Sequence, residues 1–435
     1  MNSMSPAAIC AALLGCVMVT PTFAELPLTH TDESKVPVYT LPDPLKFDDG
    51  SPVTSAQQWT EKRRPEILRI FTEQMYGKAP AAPANLRIQI LSRDENALDG
   101  TAIRKEIEIT LAEAPQPVKM TMLLYIPKSN RPAPVFWGLN FCGNHAVIND
   151  PAVRLNTNWM SNFPGVVDHQ ATDAARGTRA SRWPISLIVK RGYAVATAYY
   201  GDIDPDFDDG FKNGIHPAFY KAGQNRPEAD EWGSIAAWAW GLSRGMDYLQ
   251  QDVDVDASRV AVIGHSRLGK TALWAGATDP RFAITISNDS GCGGAALSRR
   301  GYGENFARIN ASFPHWFCDN FKKFNNHEAE MPVDQHELIA LIAPRPVYVA
   351  SALEDQWADP KGEFLSARYA DPVYRLLGTN GMGGDAPPEE SPAVDQPLKT
   401  GSIGYHIRAG KHDVTEFDWL QYLDFADLHL QKNKP

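Results

Sequence analysis

The chain has 435 residues, 43% of them hydrophobic, enough apolar material for a large core in one extended domain or two smaller ones, and length does not force a split. A net charge of −10, a pI near 5.6 and the lack of any basic block argue against nucleic acid or an anionic membrane surface as partner. Residues 1–24 carry no charged side chain, Ala7 to Thr20 is almost wholly apolar, and Thr22-Phe23-Ala24 offers small residues where a signal peptidase reads. A secretory signal cleaved after Ala24 is expected, leaving a periplasmic or secreted protein; lipid attachment at Cys16 is the alternative. No other apolar run reaches membrane length.

Cleavage removes Cys10 and Cys16 and leaves Cys142, Cys292 and Cys318, which allow one internal bridge; Cys292 with Cys318 is the expected pair. There is no Cys-x-x-Cys and no His/Cys spacing suited to zinc, so neither metal nor cofactor is expected.

Residues 25–60, rich in Pro, Asp and Thr, read as irregular surface structure. A helix follows over Arg64–Gly77, with proline in its first turn and a glycine stop. Strands are expected around 86–91, 102–111, 118–127 and 134–141, the last running into Cys142-Gly143-Asn144-His145, a place for part of an oxyanion pocket. Residues 150–182 lack periodicity and read as a long excursion bordering an active site. A helix over 185–191 leads into a strand ending at Tyr200. The run Asp202, Asp204, Asp206, Asp208, Asp209 alternates as a calcium loop does, yet no Gly-x5-Glu completes it, so a solvated loop is expected. The helix over 231–249 carries tryptophans suited either to sugar or to core packing.

The stretch Arg259-Val-Ala-Val-Ile-Gly264-His265-Ser266-Arg267-Leu268-Gly269-Lys270 organises the rest. A β-branched strand stops at a glycine, and a helix starts two residues beyond a serine. That is a nucleophile elbow, with the second glycine one position later than in Gly-x-Ser-x-Gly. Strands at 282–286, 346–352 and 403–408 follow, and an aromatic-rich helix over 416–430 closes the chain. The order predicts an α/β fold of the α/β-hydrolase type: a three-layer sandwich with a mostly parallel sheet, spanning 25–435 with an N-terminal extension over about 25–100.

A serine hydroxyl needs a base and an orienting carboxylate. In this fold the order is serine, acid, histidine, and His412 alone follows the final strand in a glycine-containing loop. Two loops offer the acid: Asp355 is favoured, with Asp289 second. The Arg267 backbone N–H suits an oxyanion hole, and its guanidinium adds a fixed positive charge.

Gly264-His-Ser-Arg-Leu-Gly-Lys270, Ser290-Gly-Cys-Gly-Gly-Ala-Ala-Leu-Ser-Arg-Arg300, Gly303-Glu304-Asn305, Phe313-Pro-His-Trp316 and Gly410-Lys-His412 together resemble the glucuronoyl esterases, carbohydrate esterase family fifteen, of the bacterial type. The resemblance covers most of the chain from about residue 60. It implies hydrolysis of esters between lignin alcohols and the (4-O-methyl)glucuronate branches of glucuronoxylan, through a glucuronoyl-enzyme intermediate. It also implies Ser266 as nucleophile, Arg267 as oxyanion arginine, His412 as base, and Lys270, Glu304 and Trp357 as sugar contacts. His265 and Asp413 stand where fungal members are bridged by cysteines, so that bridge is absent; Asp289 replaces their glutamate. A monomer is expected. The alternatives are an acetyl-xylan or feruloyl esterase of the same fold, or a non-catalytic binding module.

Overall fold

The computed structural model describes residues 26–84, 86–113 and 116–430; the expected signal segment, with Cys10 and Cys16, lies outside the described residues. A nine-stranded sheet dominates. Its antiparallel flank is β1 (Arg87–Ala97), β2 (Ala102–Ala112) and β3 (Val118–Pro127). Its parallel part contains β4 (Ala133–Asn140), β7 (Ala194–Tyr199), β8 (Val255–His265), β9 (Ile284–Asn288), β10 (Val347–Ala352) and β11 (Ile403–Arg408), while β5 (Val166–Val167) and β6 (Gln170–Ala171) form a separate small hairpin. The spatial order is β1-β2-β3-β7-β4-β8-β9-β10-β11. This is the mostly parallel sheet that the sequence predicts.

Burial explains the composition of the strands. β4, β7 and β10 are buried at every residue, so they read as continuous apolar runs, whereas the edge strand β1 is largely open and carries charge. Helices cover both faces. Trp137 and Val262 pack with Trp238, Leu268 and Leu273 of helices Ser234–Leu249 and Arg267–Thr278 on one side. Phe136, Ile263 and Tyr348 pack with Ile188, Trp419 and Tyr422 of helices Ile185–Lys190 and Glu416–Leu430 on the other. The first helix layer lies so close that a Cβ on Gly245 would sit 2.4 Å from the Trp137 ring. Trp238 and Trp240 of that layer are core residues, which leaves them no role as sugar platforms.

Two expectations fail. Cys142, Cys292 and Cys318 are all free and buried, so the Cys292–Cys318 bridge does not form; the Cys318 sulfur faces the Glu73 carbonyl oxygen at 3.9 Å instead. The acidic run is not a solvated loop either. Asp202, Asp204 and Asp206 turn inwards: Asp204 accepts from Ser234 Oγ at 2.5 Å and lies 3.1 Å from His216 Nδ1. Buried donors, invisible in the local charge pattern, make that inward turn favourable.

Candidate active site

Ser266 directly follows β8 at φ +58°, ψ −129°, a conformation a side chain rarely adopts, and its N–H donates to the Asn288 carbonyl at 2.9 Å. Two glycines make the turn possible. A Cβ on Gly264 would meet the Leu268 carbonyl oxygen at 1.8 Å, and one on Gly269 would meet Ser290 at 2.9 Å. The late second glycine therefore serves helix-to-loop packing. The first N–H groups of the helix, including that of Arg267, have no intrahelical acceptor and lie at the serine.

The loop after β11 brings His412 to the same place: Ser266 and His412 line one cavity of about 160 Å3, together with Phe141, Cys142, Phe163 and Trp183. His412 Nδ1 lies 2.5 Å from Asp355 Oδ2 and 3.9 Å from Asp289 Oδ2. Arg408 secures this loop. Its guanidinium donates to the carbonyls of Ala409 (3.0 Å), Lys411 (3.0 Å) and Asp413 (2.5 Å), bracketing His412, while its Nε holds Asp418 at 2.8 Å. The His265 ring packs on that of His412 at 4.4 Å and holds Asn288 Oδ1 through Nδ1 at 2.6 Å; burial keeps its pKa well below the ordinary value. Asp413 pairs with Arg182 at 2.5 Å. His265 and Asp413 thus hold the histidine loop by non-covalent contacts.

Asp289 sits at φ +45° in a buried loop after β9. Its burial, with the neighbouring Glu363 and Asp355 charges, pushes its carboxyl well above the usual range. Glu363 holds that loop from beneath, accepting from the N–H groups of Ser290 (2.7 Å) and Gly291 (2.9 Å) and from Ser351 Oγ (2.6 Å). Burial raises its own carboxyl to about 8.

Arg267 extends over the Trp316 ring, 4.8 Å from its centroid, and pairs with Asp206. Asp206 also accepts from His315 Nε2 (2.9 Å), Trp316 Nε1 (2.8 Å) and Tyr200 OH (2.9 Å). Burial alone would raise this carboxyl, but the His315 hydrogen bond and the Arg267 charge hold it well below the usual range. The guanidinium is therefore held in place, on a residue that lines the same cavity as Ser266. Cys142 lines the cavity, but its N–H is taken by Asn140 Oδ1 at 3.3 Å, so it is not a free oxyanion donor.

Lys270 is buried, donates to the Ser290 carbonyl at 2.6 Å and lies 5.7 Å from the Trp316 ring centroid. Burial lowers its pKa and raises that of Glu304, each opposed by the other's charge. The Glu304 N–H donates to the Trp357 carbonyl at 3.1 Å, and Trp357 is 41% exposed with the Arg308 guanidinium 5.4 Å from its ring centroid. Asp206, Glu363, Arg408 and His265 escaped sequence reasoning. His265, Arg408 and Glu363 stand within a few residues of expected site residues, whereas Asp206 showed only as one member of the acidic run 202–209.

A serine on a strained turn after a central parallel strand, sharing a cavity with an imidazole held by a carboxylate, on a sheet covered by helices on both faces, defines an α/β-hydrolase. The sequence model described as "Glucuronyl esterase, fungi" matches residues 181–378. The carbohydrate esterase MZ0003 of an unknown prokaryotic organism is 52% identical over 402 residues, 92% of this chain and 91% of its own. A glucuronoyl esterase from Solibacter usitatus superposes with a TM-score of 0.86 at 52% identity, covering 91% of this chain and 99% of the other. One from Teredinibacter turnerae gives 0.76 at 32% identity, covering 90% and 89%. The chain belongs to the glucuronoyl esterases, carbohydrate esterase family fifteen.

Proposed function

We propose that the protein is a carboxylic ester hydrolase that cleaves esters of (4-O-methyl)glucuronate. Related chains at 27% identity, from Wolfiporia cocos and Schizophyllum commune, are named 4-O-methyl-glucuronoyl methylesterases. The observation that carries the reading is the 2.5 Å contact between His412 Nδ1 and Asp355, in a loop lining one cavity with Ser266.

In this reading Asp355 fixes the imidazole tautomer, leaving Nε2 to take the Ser266 proton. The serine oxygen attacks the ester carbonyl, and the oxyanion is met by the free N–H groups at the helix start and by the Arg267 guanidinium. Collapse expels the alcohol, protonated by His412, and leaves a glucuronoyl-serine ester. His412 then activates water, and the acid is released with the serine restored. Lys270, Glu304 and Trp357 bind the acid side. The cavity walled by Phe163 and Trp183 takes the leaving alcohol, and its aromatic sides suit an aryl-substituted lignin alcohol. Asp289 acts as a structural carboxyl of the adjoining loop. The catalytic unit is 25–435, with the N-terminal extension pinned through Glu33 to Arg300 (2.8 Å) and Lys361 (2.5 Å). It works as a monomer, exported once residues 1–24 are removed. No helix among the described residues is long and apolar enough to cross a membrane.

The test compares benzyl glucuronate with an aryl acetate. Benzyl glucuronate should be the better substrate, and Ser266→Ala or His412→Ala should each lower its turnover by about 10⁴-fold or more. Preference for the acetate would favour an acetyl esterase. Full turnover by Ser266→Ala would end the serine mechanism.

A further inference from the structure

A second cavity, of about 750 Å3, opens on the same edge of the sheet as Ser266. Val118, Lys119 and Thr121 at the start of β3 line it, as do Gly201 and Asp202 just beyond β7. β3 runs antiparallel to β7, so these ends share the edge at which β8 stops. Three strand steps separate β3 from β8, roughly 14 Å at ordinary strand spacing.

The excursion that gives Phe163 to the alcohol cavity gives Asn156, Asn158 and Trp159 to this one. The loop whose Asp206 pairs with Arg267 gives it Pro205 and Phe207. Asp202 joins the two walls: its carboxylate accepts from Asn156 Nδ2 (2.6 Å), Asn158 Nδ2 (2.7 Å) and the Thr121 N–H (3.1 Å). The Trp159 and Phe207 rings lie 4.5 Å apart and form an aromatic corner. Charges in the lining balance in sign: Lys119 pairs with Glu108 at 2.8 Å and Arg154 with Glu106 at 3.9 Å, and Asp202 and Lys212 add one charge of each sign. Among the described residues, the side chains of Thr157 and Asn213 have no hydrogen-bond partner.

We propose that this cavity is a second carbohydrate site, which seats a neutral oligosaccharide of the polymer in which the ester is embedded. Amide and hydroxyl groups free to bond, an aromatic corner and balanced charge suit a polyhydroxylated, uncharged ligand. The volume lies within the range of small-molecule sites and holds several sugar units. The choice of glycan rests on the esterase reading; the site itself does not.

The test titrates the Ser266→Ala protein with xylohexaose by calorimetry. Binding is expected, weakened at least tenfold by Ala218→Trp, which narrows the cavity, and at least threefold by the exposed substitution Asn213→Ala. It should stay within twofold in Trp357→Ala, which alters the acid subsite only. Both cavity variants, made with Ser266 intact, should hydrolyse benzyl glucuronate within twofold of the unsubstituted protein. Absence of xylohexaose binding, or binding lost in Trp357→Ala but kept in both cavity variants, overturns the proposal. Failure of the unsubstituted protein to hydrolyse benzyl glucuronate would sink the esterase reading alone.

Discussion

Two carboxylates approach one imidazole, and their surroundings give them different work. Asp355, after β10, meets His412 at 2.5 Å; Asp289, after β9, stands at 3.9 Å on a buried loop. Asp289 has one oxygen without a hydrogen-bond partner, and its nearest cation, Arg408 at 3.5 Å, is already shared with Asp418 and three carbonyls. Ionising it beside Glu363 and Asp355 is costly, which its raised pKa expresses. A carboxylate that is to stabilise an imidazolium must itself be charged. Nearness alone therefore does not choose the acid; environment does.

The comparison is most directly broken by kinetics. Asp355→Asn should lower kcat on benzyl glucuronate by about 10³ to 10⁴-fold, because the imidazole loses its tautomer control. Arg408→Met releases the His412 loop from three carbonyl contacts and should cost about 100-fold in kcat with KM little changed, the expected result of displacing the base by an ångström. Asp289→Asn should cost less than about tenfold, since burial and the neighbouring acids disfavour the charged form of the carboxyl it replaces and His412 Nδ1 lies 3.9 Å from it. A loss equal to that of Asp355→Asn would reverse the assignment. The smallest effect is on stability. Glu363 has its folded pKa raised from 4.5 to about 8, so its contribution is complete below pH 4.5 and fades as pH rises through 8. Glu363→Gln keeps an acceptor for Ser290 and Gly291 and should remove that loss. Melting curves from pH 5 to 9 should thus fall less steeply for the variant.

Much of this was legible in the sequence. The parallel strands announced themselves as short apolar runs, since both faces of the sheet are covered. The strand–Gly–x–Ser–helix order marked the elbow, because only small residues fit there: a Cβ on Gly264 collides with Leu268. The acidic run 202–209 was misleading. Alternating aspartates look solvated when read in isolation, yet Asp206 is the anchor of Arg267, and its other partners, His315 and Trp316, come from more than a hundred residues further on. The cysteines misled in the same way, for spacing along the chain says little about which buried sulfurs meet.

The sequence by itself determined the layered sheet, the strained serine and the histidine loop, since these follow from local periodicity, glycine placement and chain order. Tertiary structure decided what no local pattern encodes: which carboxylate reaches the imidazole, what fixes the arginine, and what grips the loop between Arg408 and Asp413. Those contacts join segments distant in sequence, and a charge's behaviour depends on its desolvation and its partners, which exist only once the chain has closed around it.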